Sequence, residues 1–381
     1  MEDPAYRQGF FVSLERRISV LVEIVYTLSG RGLVKDADLL KDVIGSLGHD
    51  VSINALPRQH PLLTHLSGKW GRATKRIPSP RLLQMINSLQ RKICRLFHSN
   101  ALNADLVIHL ENIHPRYINP LCPNWLIPNQ EWFRPERIHY LEDIQSVLCK
   151  THAAKECFKS LHPDVRFLGF SAPIATHLSD WQPPDRNPDR ILHVAGSSPF
   201  KGTDVVLEAW KKNPEWPCLT LVANIPQIGV RLPPNVVLKS NLSEPELQAL
   251  WQEAAIVVNP SEVEGYGQVL AEAMCYGAVV ITTDSPPMNE LVSNDRGYLV
   301  PYTETACFRL GMRYKVSAEN LEQVVNRALN DSGELRAQKA RNALDWTRDN
   351  HEAFIRRLEH YLNSAIPNAG SADQSSGQSQ A

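Results

Sequence analysis

The sequence predicts an α/β protein built from two doubly wound domains, and three observations carry that expectation. Apolar β-branched runs of strand length alternate along the chain with segments of helical spacing, the order that a parallel sheet requires. The 381 residues exceed one ordinary domain and suit two, each able to bury a core. A stretch rich in proline and turn residues, 171–189, separates two such alternations and reads as the interdomain linker.

Residues 1–17 read as a loose strap ahead of the first domain, 18–170. Ile18 to Tyr26 has the composition of a buried strand, Leu28 to Gly32 that of a glycine-bearing turn, and Val34 to Leu47 that of an amphipathic helix. Val51 to Ala55 then makes a second strand and completes a βαβ unit. Further strands are expected at Asp105–Leu110, Trp125–Ile127, Ser146–Lys150 and Val165–Gly169.

The second domain, 190–345, opens with a strand at Ile191–Ala195, the loop 196–202 and a helix from about Thr203 to Lys211. Strands at Leu219–Ala223 and Val236–Leu238 follow. Ser243-Glu244-Pro245-Glu246 starts a helix, because a serine cap, a proline and two acids suit a first turn. Later come a strand at Gly297–Val300, a helix at Ala318–Leu329 and helical patterns at Glu334–Trp346 and Glu352–Leu362. The segment 346–365 carries an apolar stripe of Phe354, Ile355, Leu358 and Leu362, whereas the Gly/Ser/Gln-rich tail 366–381 is expected to be disordered.

Composition removes several function classes. With 43% hydrophobic residues and a formal net charge of −1, the chain is globular in type. No apolar run approaches the roughly 20 residues that cross a bilayer. Met1 to Arg17 lacks the basic-then-apolar order of a secretory leader. Seven cysteines (Cys94, Cys122, Cys149, Cys157, Cys218, Cys275, Cys307) are scattered and never spaced Cys-x-x-Cys, which fits a reduced, cytoplasmic setting. His109 and His114 have no third ligand at a suitable spacing, so no metal site is expected.

Between Asp50 and Asp105 no acidic residue occurs, while basic residues accumulate, among them Lys69, Arg72, Lys75 and Arg76. Pro80 to Phe97 has helical spacing with Leu82, Leu83, Ile86, Leu89 and Ile93 on one side. The segment 51–104 therefore has two readings. One is contact with an anionic acceptor or with the inner face of a membrane; the other is a solvated helix face. Nucleic acid is disfavoured, because only Trp70 and Phe97 interleave with the basic residues.

Residues 255–284 hold the densest signal. Ile256 to Val258 is a β-branched run; it gives way to Glu264-Gly265-Tyr266-Gly267, a helical pattern from Gln268 to Tyr276 and a second β-branched run, Val279–Thr283. Gly265 and Gly267 allow close approach of the backbone to a ligand, and amides at the start of the next helix favour an anion, with phosphate the expected guest. Glu264 and Glu272 bracket the loop with seven residues between them, so one acid can face a ligand head group while the other reaches a more distant hydroxyl.

This Glu-x7-Glu stretch, followed by Glu-Ala-Met-x-x-Gly, resembles the retaining nucleotide-sugar glycosyltransferases of the large family 4 type, which have the GT-B fold. The resemblance implies two Rossmann-like domains facing each other across a cleft, with the final helix crossing back onto the first domain. It implies that Glu264 touches the donor sugar, that the loop Gly265, Tyr266 and Gly267 lies by the sugar hydroxyls and diphosphate, and that Glu272 binds the ribose. Gly30 and Gly32 resemble the family's glycine loop after the first strand. Lys201, in a Lys-Gly-x-Asp context, matches the lysine of the diphosphate clamp and joins Glu264 as a catalytic residue.

Two departures stand out. Gly196 and Ser197 occupy the place of the family's clamp arginine, with Arg31 a substitute from across the cleft. Asn129, Gln130 and Glu131 stand where many relatives carry a histidine facing the sugar. The implied function is metal-independent, retaining hexosyl transfer. It needs no cofactor, the nucleoside diphosphate sugar being the co-substrate. The acceptor is a saccharide, a lipid-linked or another small hydroxyl compound, as in lipid-linked glycan or polysaccharide synthesis. A catalytically degenerate scaffold that binds nucleotide sugars or regulates is the alternative.

Overall fold

The computed structural model describes residues 19–57, 103–177, 186–224 and 232–365. The basic segment 58–102, with its helical pattern, lies outside the described residues, as do the strap and the tail. Two six-stranded sheets form the framework, and all their pairings are parallel.

The first sheet comprises β1 (Leu21–Thr27), β2 (Asp50–Leu56), β3 (Leu106–Glu111), β4 (Asn124–Pro128), β5 (Ser146–Cys149) and β6 (Val165–Phe167), in the order β2-β1-β3-β4-β5-β6. Helix α1 (Arg31–Ser46) joins β1 to β2, and α2 (His152–Phe158) joins β5 to β6. The second sheet has β7 (Ile191–Gly196), β8 (Leu219–Ala223), β9 (Val236–Lys239), β10 (Ile256–Val258), β11 (Val279–Thr283) and β12 (Gly297–Val300), in the order β12-β11-β10-β7-β8-β9. Its helices are α3 (Thr203–Lys212), α4 (Glu244–Glu253), α5 (Gln268–Cys275) and the short α6 (Met288–Leu291).

Strands β10 and β11 are buried along their whole length, which is why they read as continuous apolar runs and not as an alternation. In each sheet one adjacent pair marks a reversal of strand order, β1 with β3 and β7 with β10. Chain connections leave such a pair in opposite directions and open a crevice at the carboxyl ends of the strands.

The structure departs from the sequence reading at three places. Helix α1 begins at Arg31, so Gly32 lies inside its first turn and Gly30 is its N-cap. The two helical patterns near the C-terminus are one helix, α8 (Gly333–Ala365), which follows α7 (Ala318–Asn330). It runs for 33 residues, about 50 Å at 1.5 Å per residue. Between β12 and α7 stands an antiparallel hairpin, β13 (Tyr302–Phe308) and β14 (Gly311–Val316), which the sequence reading omitted. Most of β13 is exposed, so no face was selected for apolar residues and no period-2 pattern marks it.

One hydrophobic cluster runs from Ile24 and Leu40 in the first domain through Phe170 and Ala172 to Leu270, Met274 and Phe354. Helix α8 carries its C-terminal half onto the edge of the first sheet. There Arg357 Nε donates to the Leu168 carbonyl at 2.6 Å and Tyr361 Oη to that of Phe167 at 3.0 Å, while Phe354, Leu358 and Leu362 are buried beneath. Leu358 is fully buried in this contact. Leu358→Ala is expected to lower the unfolding free energy by about 2–5 kcal/mol, measured by urea denaturation; a loss below about 1 kcal/mol would show that the helix end is not anchored there.

Candidate active site at the domain seam

The reversal point of the second sheet places two loops side by side. The loop after β7 carries Lys201, the loop after β10 carries Glu264, and the two side chains form an ion pair with 12% and 10% of their surfaces exposed. Gly202, next to Lys201, is left-handed with φ 68°, and a Cβ there would fall onto the carbonyl oxygen of Pro260 in the facing loop. Only glycine permits both the conformation and the approach.

The helices that begin at the two reversal points share one feature. α1, α3 and α5 start from Gly30, Gly202 and Gly267, and none receives a side-chain cap. By contrast α2 and α7 are capped by Thr151 and Ser317, and α4 has a capping box of Ser243 with Glu246. At the starts of α1, α3 and α5 the N-cap residue thus offers no side-chain oxygen to the first amides, and such ends favour an anion.

From the first domain, α1 and the loop after β4 meet this face. Lys35 Nζ lies 2.6 Å from Glu272 Oε1 and 3.6 Å from Glu244 Oε1. Arg31 donates to the Leu242 carbonyl at 3.0 Å. Gln130 Nε2 donates to the Glu264 carbonyl at 2.8 Å. A Cβ on Gly265 would come within 2.7 Å of Asn129 and 2.8 Å of Glu131 Oε1, so the first domain rests directly on the loop between the two acids.

Beneath the loops lies a charged pair that is almost wholly inaccessible. Lys150 of β5's carboxyl end pairs with Asp36 of α1, and its ammonium also donates to Asn129 Oδ1 at 2.9 Å. Gln268, the first residue of α5, donates to Asp36 Oδ1 at 2.7 Å and to the Ser171 carbonyl at 3.1 Å. The second domain therefore completes the coordination of a buried pair in the first. A half-buried carboxyl, Glu111, adopts a left-handed backbone with φ 64° at the end of β3 and accepts a 3.4 Å bond from Ser29.

Burial pushes the Glu131 carboxyl up to about 8, with the neighbouring charges of Glu264 and Glu111 adding to the shift and Lys150 opposing it. Its Oε2 is buried with no hydrogen-bond partner among the described residues. The Glu272 carboxyl is raised by burial as well, and Lys35 and Lys201 both pull it back down.

The structure brings together Lys201, Glu264, Gly265, Gly267 and Glu272. Gly30 and Gly32 lie at the start of α1, and among the described residues nothing approaches their Cβ positions within 4 Å. Tyr266 has a different part: its side chain is buried and its hydroxyl donates to the Phe170 carbonyl at 2.8 Å, so it holds the seam and leaves only its main chain to the loop. Arg31, suggested by sequence as a replacement clamp cation, is engaged at the exposed edge with Leu242, whereas Lys35, one turn later, reaches Glu272.

Sequence reasoning passed over Lys35, Asp36, Lys150 and Gln268, and the only available signal was polar residues on the apolar side of their elements. Above the site, Arg309 at the hairpin tip donates to the Trp132 carbonyl at 2.6 Å and stacks on its ring at 4.9 Å, and Phe200 and Phe308 pack beside them. Among the described residues no group of three or more His, Cys, Asp and Glu is placed to hold a metal ion.

Residues 188–312 match the family model described as "Glycosyl transferases group 1". The comparison with curated proteins finds no match. Among solved structures, sucrose-phosphate synthase from Thermosynechococcus elongatus is similar at 12% identity and a TM-score of 0.60, over 91% of this chain and 98% of that one. Anabaena HepE, solved with UDP and glucose, is similar at 15% identity and a TM-score of 0.60, over 91% and 100%. An alpha-glucosyltransferase in complex with UDP-glucose and DNA containing an abasic site is similar at 13% identity and a TM-score of 0.55, over 90% and 100%. At these identities the likeness concerns the fold, and that fold is the two-domain GT-B architecture expected from sequence.

Two outcomes test this geometry. Gly202→Ala forces a side chain into a left-handed position against the Pro260 backbone, so a loss of about 2 kcal/mol or more is expected on chemical denaturation; a loss under about 0.5 kcal/mol would mean the loop relaxes freely. Glu131 keeps its proton in the folded chain up to about pH 8, whereas a free glutamate carboxyl loses it near 4.5. The unfolded state therefore binds fewer protons between those values, and stability due to this group falls as pH rises, by at most about 1.4 kcal/mol per pH unit, then levels off. Glu131→Gln removes that slope. Urea midpoints from about pH 5 to about pH 8 are expected to diverge progressively in favour of Gln, and parallel curves would contradict a protonated Glu131.

Proposed function

We propose that this protein is a retaining, metal-independent glycosyltransferase that moves a hexosyl group from a nucleoside diphosphate sugar to an acceptor hydroxyl. The observation that carries the reading is the Lys201–Glu264 pair at the reversal point of the second sheet, with Glu272 in α5, the helix that follows the Glu264 loop. The group 1 match over 188–312 covers these three residues and supports it. So does the GT-B fold, although a fold of this kind hosts many substrates.

The chemistry follows from charge. Breaking the bond between the anomeric carbon and the β-phosphate oxygen leaves a diphosphate whose new negative charge must be stabilised where it forms. Lys201 and the uncapped starts of α3 and α5 are the groups for this. Glu272 accepts hydrogen bonds from the ribose hydroxyls, and Glu264 orients the sugar. The acceptor oxygen bonds to the anomeric carbon from the face the phosphate leaves, and the departing phosphate oxygen takes the acceptor's proton. Atoms and charge balance without a further reagent.

The acceptor is a saccharide, a lipid-linked or another small hydroxyl compound. The site's location on a soluble two-domain body that acts at the cytoplasmic face is part of the same reading. The second reading, a catalytically degenerate scaffold, draws on the absence of a cation at Gly196 and Ser197.

A panel of nucleotide sugars, beginning with UDP-glucose, separates the two. Donor hydrolysis or transfer is expected for at least one member, and Lys201→Ala is expected to lower its rate by about 100-fold or more in protein that thermal melting shows to be folded. Binding without turnover across the panel would favour the scaffold reading, and a Lys201→Ala enzyme of near wild-type rate would move the clamp elsewhere.

A further inference from the structure

We propose that Lys35 of the first domain is the second cation of the diphosphate site, and that a bound donor draws its ammonium from Glu272 to the phosphates. The inference rests on the glycosyl-transfer reading and adds a residue that neither sequence motif nor fold assigns. In the second domain the loop from Gly196 to Phe200 holds no cation, so Lys201 is the first that this loop offers to a group of two or more negative charges. Lys35 crosses the seam to the same place. Its Nζ is 2.6 Å from Glu272 Oε1 and 3.6 Å from Glu244 Oε1, and three quarters of its side-chain surface is covered.

Glu272 is the acid that links the two lysines. Glu272 is 8% exposed and lies in the second turn of α5, the helix that starts at Gly267 beside the Lys201–Glu264 pair. Burial raises its carboxyl, and the adjacent Lys35, more than Lys201, opposes that rise. Arg31, on the same face of α1 one turn earlier, is turned to the Leu242 carbonyl at the exposed rim.

The exchange leaves each group with a hydrogen-bonding partner. Lys35 pairs with Glu272, and Lys201 pairs with Glu264. A nucleoside diphosphate brings more charge than either carboxylate, and the flexible lysine stem allows the ammonium to follow it. The Glu272 oxygen released in this way accepts the ribose hydroxyls, for which a carboxylate has acceptor sites to spare. Because Lys35 belongs to the other domain, the same contact ties donor occupancy to closure of the seam.

The two possible parts for Lys35 differ in sign. A phosphate-binding lysine strengthens nucleotide affinity, whereas a lysine that merely occupies Glu272 competes with the ribose and weakens it. Calorimetry on the full chain with UDP, GDP and ADP, and with the nucleoside of whichever binds, decides between them. For Lys35→Ala and Lys35→Met the diphosphate affinity is expected to fall about tenfold or more, with the nucleoside unchanged or tighter and a shallower salt dependence. Lys35→Arg is expected to recover most of the loss.

Thermal melting identifies a variant that has lost its fold, and the Met and Arg variants retain the packing of the stem. Diphosphate affinity that is unchanged or increased in Lys35→Met overturns the inference while leaving glycosyl transfer in place. Wild-type protein that binds none of the three diphosphates overturns the glycosyl-transfer reading and this one with it.

Discussion

The buried ion pair of Asp36 and Lys150 is the constraint around which the two domains are joined. Taking both charges out of water is costly, and the cost is recovered only if the remaining hydrogen-bonding capacity is met. Part of it is met inside the first domain, by Asn129 on Lys150, but Asp36 also receives Gln268 from the start of α5. The second domain therefore supplies a bond that the first domain's interior requires, and the helix bearing Glu272 is registered against α1 by the same contact. Removing either charge would strand the other in an apolar seam, which is more damaging than never having had the pair.

From that registration the arrangement of the upper face follows. With α5 fixed against α1, the loop from Glu264 to Gly267 lies under Asn129, Gln130 and Glu131, and a Cβ at 265 would press on the side chains of Asn129 and Glu131. Further contacts tie the seam at its margins. The Glu290 carboxylate accepts from the amides of His152 and Ala153 at 2.7 and 2.8 Å, so an acid of the second domain sits at the start of α2 in the first. Helix α8 and the Arg309 contact bind the remaining margins. A site built between two bodies in this way can change its access by small relative movements while each sheet stays intact.

Much of the framework was legible in the sequence because parallel strands buried on both faces write themselves as β-branched runs, and helices between them repeat at 3.6 residues. Ile256–Val258 and Val279–Thr283 are such runs, and the α/β class with two doubly wound domains followed from them. The hairpin at 302–316 was not legible, since an exposed ribbon imposes no alternation. Nor was the continuity of α8 through Thr347 to His351, where β-branched and polar residues weaken the helical pattern but packing of Thr347 and His351 against the seam sustains it.

The sequence by itself determined the local chemistry: the glycines that loops need, the lysine and the two acids at βα turns, and the absence of cations from Gly196 to Phe200. Each depends on residues close together in the chain, where spacing translates directly into geometry. Only the tertiary structure decided which group from the other domain meets them. Lys35 and Glu272 are 237 residues apart, Asp36 and Gln268 232 apart, and Gln130 meets the carbonyl of Glu264 across 134. Such pairings leave no periodic trace, because a lysine on a helix reads the same whether it faces water or a carboxylate on another domain; the docking of the two sheets makes that choice.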